Sequence, residues 1–363
     1  MFRILQCRRI VFYSLLAAIV CIALSVMTFG TIYWASPVYG ASIPTQAGTT
    51  PVTGATGISE FNEPDAGEQV ITNAITGAKK SVWLEMYLLT DTNIIQALES
   101  AAHNGVDVRV MLEPHPVGGG SPQSTEDALK QAGASVEDTS PAFTLTHEKS
   151  MIIDGSTAYI MSCNFTYSAL NGKNREYGII DMNSQDVQGV IDIFNADWNR
   201  TSLSQVNDPN LIVSPINSRS DLTTFINNAQ HSLVIEAEEL QDSGIIQAIA
   251  SAAQRGVTVQ VILPVPRSSR DSNASGIATI KAAGAQVRED GQLYMHAKMM
   301  VGDGTIGYVG SENFSSNSLN NNRELGLFIA DSTVLSSLQQ TFQQDWGASQ
   351  PALQWQSQAI HAI

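Results

Sequence analysis

Short apolar runs alternate along most of the chain with segments whose apolar residues recur every three or four positions. Residues 81–89 and 232–237 are dense enough in apolar side chains to predict strands, and 106–112 and 257–263 read as β-branched strands. Between them, 93–103 and 245–254 carry a helical period and are closed by Gly105 and Gly256. Further helices are predicted over 125–131 and 275–282, each followed by Ala-Gly-Ala, and amphipathic helices over 185–198 and 333–346. Strands alternating with helices predict an α/β fold in which helices cover a mixed sheet.

The pattern occurs twice. The stretch from Asp91 to Leu112 lies over that from Asp242 to Leu263, 151 residues further on, with most positions alike. A repeat of this length is a whole domain rather than a motif. The expected organisation is two like domains, 60–203 and 204–350.

The beginning of the chain has a different character. Arg3, Arg8 and Arg9 precede an apolar run over 10–34, and no charged residue occurs from Ile10 to Gly57. Residues 1–40 therefore predict an export signal or a transmembrane anchor. The run is long enough to span a bilayer, while Val38-Tyr39-Gly40 before Ala41 offers a small-residue cleavage point. In either case the arginines stay inside, and the remainder is secreted or extracytoplasmic and membrane-anchored. Residues 41–59, uncharged and rich in Thr, Gly, Ala and Pro, predict a flexible linker.

Charge and cysteine content narrow the function. The formal net charge is −15, and the basic first segment leaves the rest more acidic still. No basic stripe of the kind nucleic-acid binders carry is visible, which puts nucleic acid behind a lipid as partner. Cys163 is the one cysteine beyond the first segment, so no intramolecular disulfide framework is available and packing is its expected role.

The chemistry lies in a second pair of matching stretches. T-H-E-K-S-M-I-I-D-G-S-T-A-Y-I-M-S-C-N and M-H-A-K-M-M-V-G-D-G-T-I-G-Y-V-G-S-E-N place His147, Lys149, Asp154, Ser162 and Asn164 at the internal spacings of His296, Lys298, Asp303, Ser311 and Asn313. Each reads as a hairpin with His and Lys on one strand face. Each is followed by Asn-Arg-Glu, ending at Glu176 or Glu324, and then by a third apolar strand. The doubled H-x-K-x4-D-x6-G-S-x-N resembles the paired signature of the phospholipase D superfamily. The second copy fits throughout, whereas the first has Met161 in place of the usual glycine, which predicts a less tight turn there.

That resemblance implies two α-β-α domains related by a pseudo-twofold axis, with one shared active site between the hairpins. One imidazole attacks phosphorus and forms a phosphohistidine while the other protonates the leaving oxygen. By resemblance His147 is the nucleophile and His296 the acid; the residues themselves do not order the two. Lys149, Lys298, Asn164 and Asn313 are expected to hold the phosphoryl oxygens, with Ser162 and Ser311 assisting at the substrate. Glu176 and Glu324 are expected to accept the second ring N–H of a histidine. Asp154 and Asp303, at the hairpin turns, read as structural. No cofactor is implied, and two lysines aimed at one point argue against a metal. No obligate partner is implied either. Hydrolysis of a phospholipid head group is the leading expectation. An extracytoplasmic nuclease and a phosphatidyltransferase of the cardiolipin synthase kind are the alternatives.

Overall fold

The computed structural model describes residues 52–268 and 271–352. The segment expected to be a signal or anchor lies outside them. Among the described residues no helix is long and apolar enough to cross a membrane.

The first half runs β1 (Ser59–Glu63), α1 (Gln69–Gly77), β2 (Ser81–Met86), α2 (Thr92–His103), β3 (Asp107–Leu112), α3 (Gln123–Gln131) and β4 (Ser135–Asp138). It continues with β5 (Lys149–Ile153), β6 (Thr157–Met161), α4 (Tyr167–Leu170), β7 (Asn174–Asp181) and α5 (Ser184–Trp198). The second half repeats the series as β8 (Leu211–Ser214), α6 (Ser218–Asn228), β9 (Ser232–Ala237), α7 (Ser243–Gln254), β10 (Thr258–Pro264), α8 (Ala274–Ala282) and β11 (Gln286–Asp290). After the two-residue β12 (Tyr294–Met295) come β13 (Lys298–Gly302), β14 (Ile306–Gly310), α9 (Ser316–Asn320), β15 (Glu324–Ile329), α10 (Ser332–Ala348) and β16 (Gln350–Pro351).

The helices start where the sequence supplies an acceptor. Asp91 and Asp242 cap α2 and α7, each receiving two backbone N–H groups of the first turn. Gly105 and Gly256, at φ 84° and 94°, then turn the chain into the next strand in a left-handed conformation that favours glycine.

Two mixed sheets result, ordered β1-β7-β6-β5-β2-β3-β4 and β16-β11-β10-β9-β13-β14-β15-β8, with β12 added to the first. In each, three strands are parallel (β2, β3, β4; β9, β10, β11), and the signature hairpin and its third strand extend the sheet by antiparallel pairings that begin with β5 on β2 or β13 on β9. One hydrophobic core belongs to the first half, holding Leu84, Leu98 and Val110, and another to the second, holding Ile235, Ile249 and Val261. A third lies between the sheets and takes residues from both halves, including Ile160, Tyr177, Val309 and Leu327, together with Phe194 of α5 and Phe342 of α10. Burial on both faces explains the near-continuous apolar runs of these strands.

The linker expected to reach residue 59 ends earlier. Ala55 is buried, donates to Phe328 O and accepts from Ala330 N, and so pairs beside β15 of the second half.

Candidate active site

Each histidine sits where the chain crosses from one half to the other. Thr146 bridges Arg323, and the N–H groups of His147 and Glu148 donate to Arg323 O at 2.8 and 3.0 Å. Lys149 then opens β5 opposite Met86. In the second copy β12 pairs parallel with β7, and Lys298 opens β13 opposite Ala237. The expected strand holding both His and Lys is thus corrected: the strand begins at the lysine, because the preceding residues are hydrogen-bonded to the other half.

The crossing determines the partners. His147 Nδ1 lies 2.9 Å from Glu324 of the second half, and His296 Nδ1 lies 2.8 and 2.9 Å from the carboxylate oxygens of Glu176 of the first. Both glutamates are fully buried. Asn174 and Ser162 donate to Glu176, and Asn322, Ser311 and Ser318 donate to Glu324, so each carboxylate is fixed before it meets its histidine. A carboxylate on Nδ1 sets the tautomer and turns Nε2 to the ligand.

Ser162 and Ser311 were expected beside substrate. Both are fully buried, donate to the glutamates at 2.7 Å and accept the N–H of Tyr177 or Leu325. They lie beneath the histidines and bind the carboxylates. Asp154 and Asp303, at φ 55° and 53° in the hairpin turns, accept three backbone N–H groups apiece, from residues 79–81 and 230–232. They tie the far end of each hairpin to the start of β2 or β9.

Met161 is accommodated by its neighbours rather than by a looser turn. A Cβ on Gly310 would come within 2.6 Å of Glu312 Oε2, but the first copy has Cys163 at that position and buries Met161 in β6. Burial pushes the Cys163 thiol well above its ordinary pKa, leaving it inert.

His147, Asn164, His296 and Asn313 line one cavity of about 700 Å³ drawn from both halves. Asn164 Oδ1 and Asn313 Oδ1 are buried without a hydrogen-bond partner among the described residues. Lys149 and Lys298 lie beside their histidines, each 1% exposed. Burial, opposed by Glu324 and reinforced by the Lys298 charge, brings Lys149 down to about 7. Burial also lowers His147 below its ordinary value, with Glu324 opposing and Lys149 adding to the effect.

Two residues escaped the sequence reading. Glu238 accepts from Lys298 Nζ and from the Tyr294 hydroxyl, both at 2.9 Å, and its Oε2 is 3.4 Å from His296 Nε2. Tyr87 holds the matching place in the first half, its ring 4.7 Å from that of His147 and 5.3 Å from Lys149 Nζ. The repeat offset of Ser81 over Ser232 pairs Tyr87 with Glu238, a mismatch that a search for identical positions passes over.

Among the described residues one acidic group could in principle hold a cation: Glu85, Glu148 and Asp197 bring carboxylate oxygens within 4.8 Å of one another. Arg323 already pairs with Asp197 there at 2.7 Å.

The comparisons with known proteins agree with this geometry. A family model described as "Cardiolipin synthase, PLD-like domain" matches residues 71–198 and again 222–346. A cardiolipin synthase of Clostridium perfringens (strain SM101) is 25% identical over 318 residues, covering 75% of this chain and 66% of its own. The major cardiolipin synthase of Bacillus subtilis (strain 168) is 26% identical over 325 residues, covering 76% and 66%. The chain thus spans about two thirds of the length of these curated relatives. Phosphatidylserine synthase of Haemophilus influenzae has the same fold, with a TM-score of 0.66 at 12% identity over 83% of this chain and 88% of its own. With both halves matched in turn and their histidine–lysine hairpins meeting at one cavity, the chain belongs to the phospholipase D superfamily, in its cardiolipin synthase-type PLD-like domain family.

Proposed function

We propose that the protein is a phosphatidyltransferase that works through a phosphohistidine. His147 attacks the phosphorus of a phospholipid in line, and the P–O bond to the head group breaks as His296 gives the departing oxygen its proton. An alcohol then attacks the phosphohistidine, the P–N bond breaks, and His296 takes the alcohol's proton. Lys149, Lys298, Asn164 and Asn313 offset the charge on the phosphoryl oxygens during both steps.

The observation that carries this reading is the exchange of glutamates: each imidazole is oriented by the opposite half, and both serve one cavity. Hydrolysis is the leading expectation from the sequence, but the relatives named cardiolipin synthase favour transfer, which needs only an alcohol in place of water. A location outside the cytoplasm is part of the proposal and rests on residues 1–40 alone.

The test is to give the full-length protein phosphatidylglycerol vesicles and, in parallel, single-stranded DNA. Transfer of a phosphatidyl group between two phosphatidylglycerol molecules yields cardiolipin and free glycerol. Phosphatidic acid as the sole product would return the reading to hydrolysis, and cleaved DNA with inert lipid would make the protein a nuclease.

A further inference from the structure

The two halves match at the histidine, lysine, serine, asparagine and glutamate of the site, and differ where the first has Tyr87 and the second Glu238 at the equivalent position. The difference lies on the reacting side. Glu176 occupies His296 Nδ1, and Glu238 approaches Nε2, the nitrogen left for chemistry, whereas His147, with Glu324 on its Nδ1, has the phenol ring of Tyr87 packed against it.

Glu238 also opens a second space. It and Glu239 line both the main cavity and a side chamber of about 220 Å³, whose wall further includes Arg267, Asp271, Asn273 and Tyr294. The chamber is rich in acceptors. Asp271 Oδ1 is engaged by the Asn273 N–H, but its Oδ2 is buried without a partner among the described residues. Burial pushes the Glu238 carboxyl up, yet His296, Lys298 and the Tyr294 hydroxyl outweigh it and hold it well below the usual carboxylate range, so it accepts and does not donate. A cation would find the aromatic face taken, since the Arg267 guanidinium already lies 3.6 Å above the Tyr294 ring.

We propose that this side chamber is the acceptor subsite, that it takes a small neutral polyol, and that Glu238 holds one hydroxyl of that polyol while a second attacks phosphorus beside His296. The inference rests on the transfer reading above. In the step, the attacking hydroxyl's oxygen bonds to phosphorus as the bond to His147 breaks, and its proton passes to His296 Nε2. A neighbouring hydroxyl of the same acceptor donates to Glu238, and the chamber wall also offers Asp271. A monohydric alcohol can attack but cannot make these contacts.

The experiment supplies the full-length protein with phosphatidylglycerol vesicles and equal concentrations of deuterated glycerol, ethanol and ethanolamine. Mass spectrometry reads the ratio of labelled phosphatidylglycerol to phosphatidylethanol, which is independent of total rate. The wild type should prefer glycerol, and Glu238→Gln should cut the ratio roughly tenfold or more, the size expected for losing a hydrogen bond to a charged acceptor. Should Glu238→Gln turn over nothing, Asp271→Asn carries the same reading and should lower the ratio in the same direction. An unchanged ratio in the active variant overturns the subsite, and preference for ethanolamine overturns its polyol class. A wild type that transfers to ethanol without favouring glycerol overturns the subsite and leaves the transfer reading standing. A wild type that forms cardiolipin but transfers to none of the three alcohols overturns the subsite alone, and one that forms neither cardiolipin nor any labelled product overturns both.

Discussion

The two lysines beside the histidines occupy unequal surroundings. Lys298 has the Glu238 carboxylate 2.9 Å away, whereas Lys149 has the face of a phenol and is brought down to about 7 by burial. In the free protein, then, the positive charge of Lys149 is present below pH 7 and disappears as pH rises through it. A bound phosphodiester favours the charged form again. The expected outcome is a specificity constant that falls on the alkaline side near pH 7 while kcat falls at higher pH, with the acid limb of the specificity constant below the ordinary histidine value because His147 is lowered. Lys149→Arg, which keeps its charge at any working pH, should move the alkaline limb upward even if its absolute rate is poor. Profiles of the two proteins that superimpose would remove Lys149 from this role. Sequence alone reads both lysines as equivalent, since nothing in H-x-K shows that one copy faces Tyr87 and the other Glu238.

At the scale of elements, the third strands β7 and β15 do most of the joining. Asparagine fixes the glutamate, glutamate meets the histidine of the other half, and Arg175 and Arg323 reach Asp345 and Asp197 on the other half's closing helix at 2.6 and 2.7 Å. All six residues of the Asn-Arg-Glu motifs were visible in the sequence as repeats. Their exchange between halves was not, because pairing within a copy and pairing across copies have the same spacing. The long helices at Thr92–His103, Ser184–Trp198, Ser243–Gln254 and Ser332–Ala348 and the central strands are legible from their period, with bounds within two residues except that the strand expected over 81–89 ends at Met86. Short edge elements were not: β1 has one well-buried apolar side chain, Phe61, and β4 has Val136 alone, too few for an alternation to register. Removing one partner of a buried ion pair leaves a charge uncompensated and costs about 3–5 kcal/mol. Arg323→Met should therefore lower stability by an amount of that order in chemical unfolding. A loss below about 1 kcal/mol would mean the pair does not hold the halves together.

On the scale of the whole molecule, the duplicated chain behaves as two half-sites folded into one. The shared core between the sheets, the backbone bonds linking Leu145, His147 and Glu148 to Arg323 and β12 to β7, and the exchanged glutamates all lie at the junction. Neither half holds a histidine with its own glutamate on Nδ1. Pseudo-symmetry makes the two histidines alike in their first partner. They differ at Tyr87 and Glu238, with a lowered imidazole at His147 and one held by carboxylates at both ring nitrogens at His296, and the proposed mechanism gives the first to attack and the second to proton transfer. Acid quenching during turnover of phosphatidylglycerol vesicles, followed by peptide mass spectrometry, tests this most directly. The account predicts a phosphatidyl adduct on His147 that accumulates in His296→Asn with an activated head group and is absent from His147→Ala. An adduct on His296, Ser162, Ser311 or Cys163, or none under burst conditions, would contradict it.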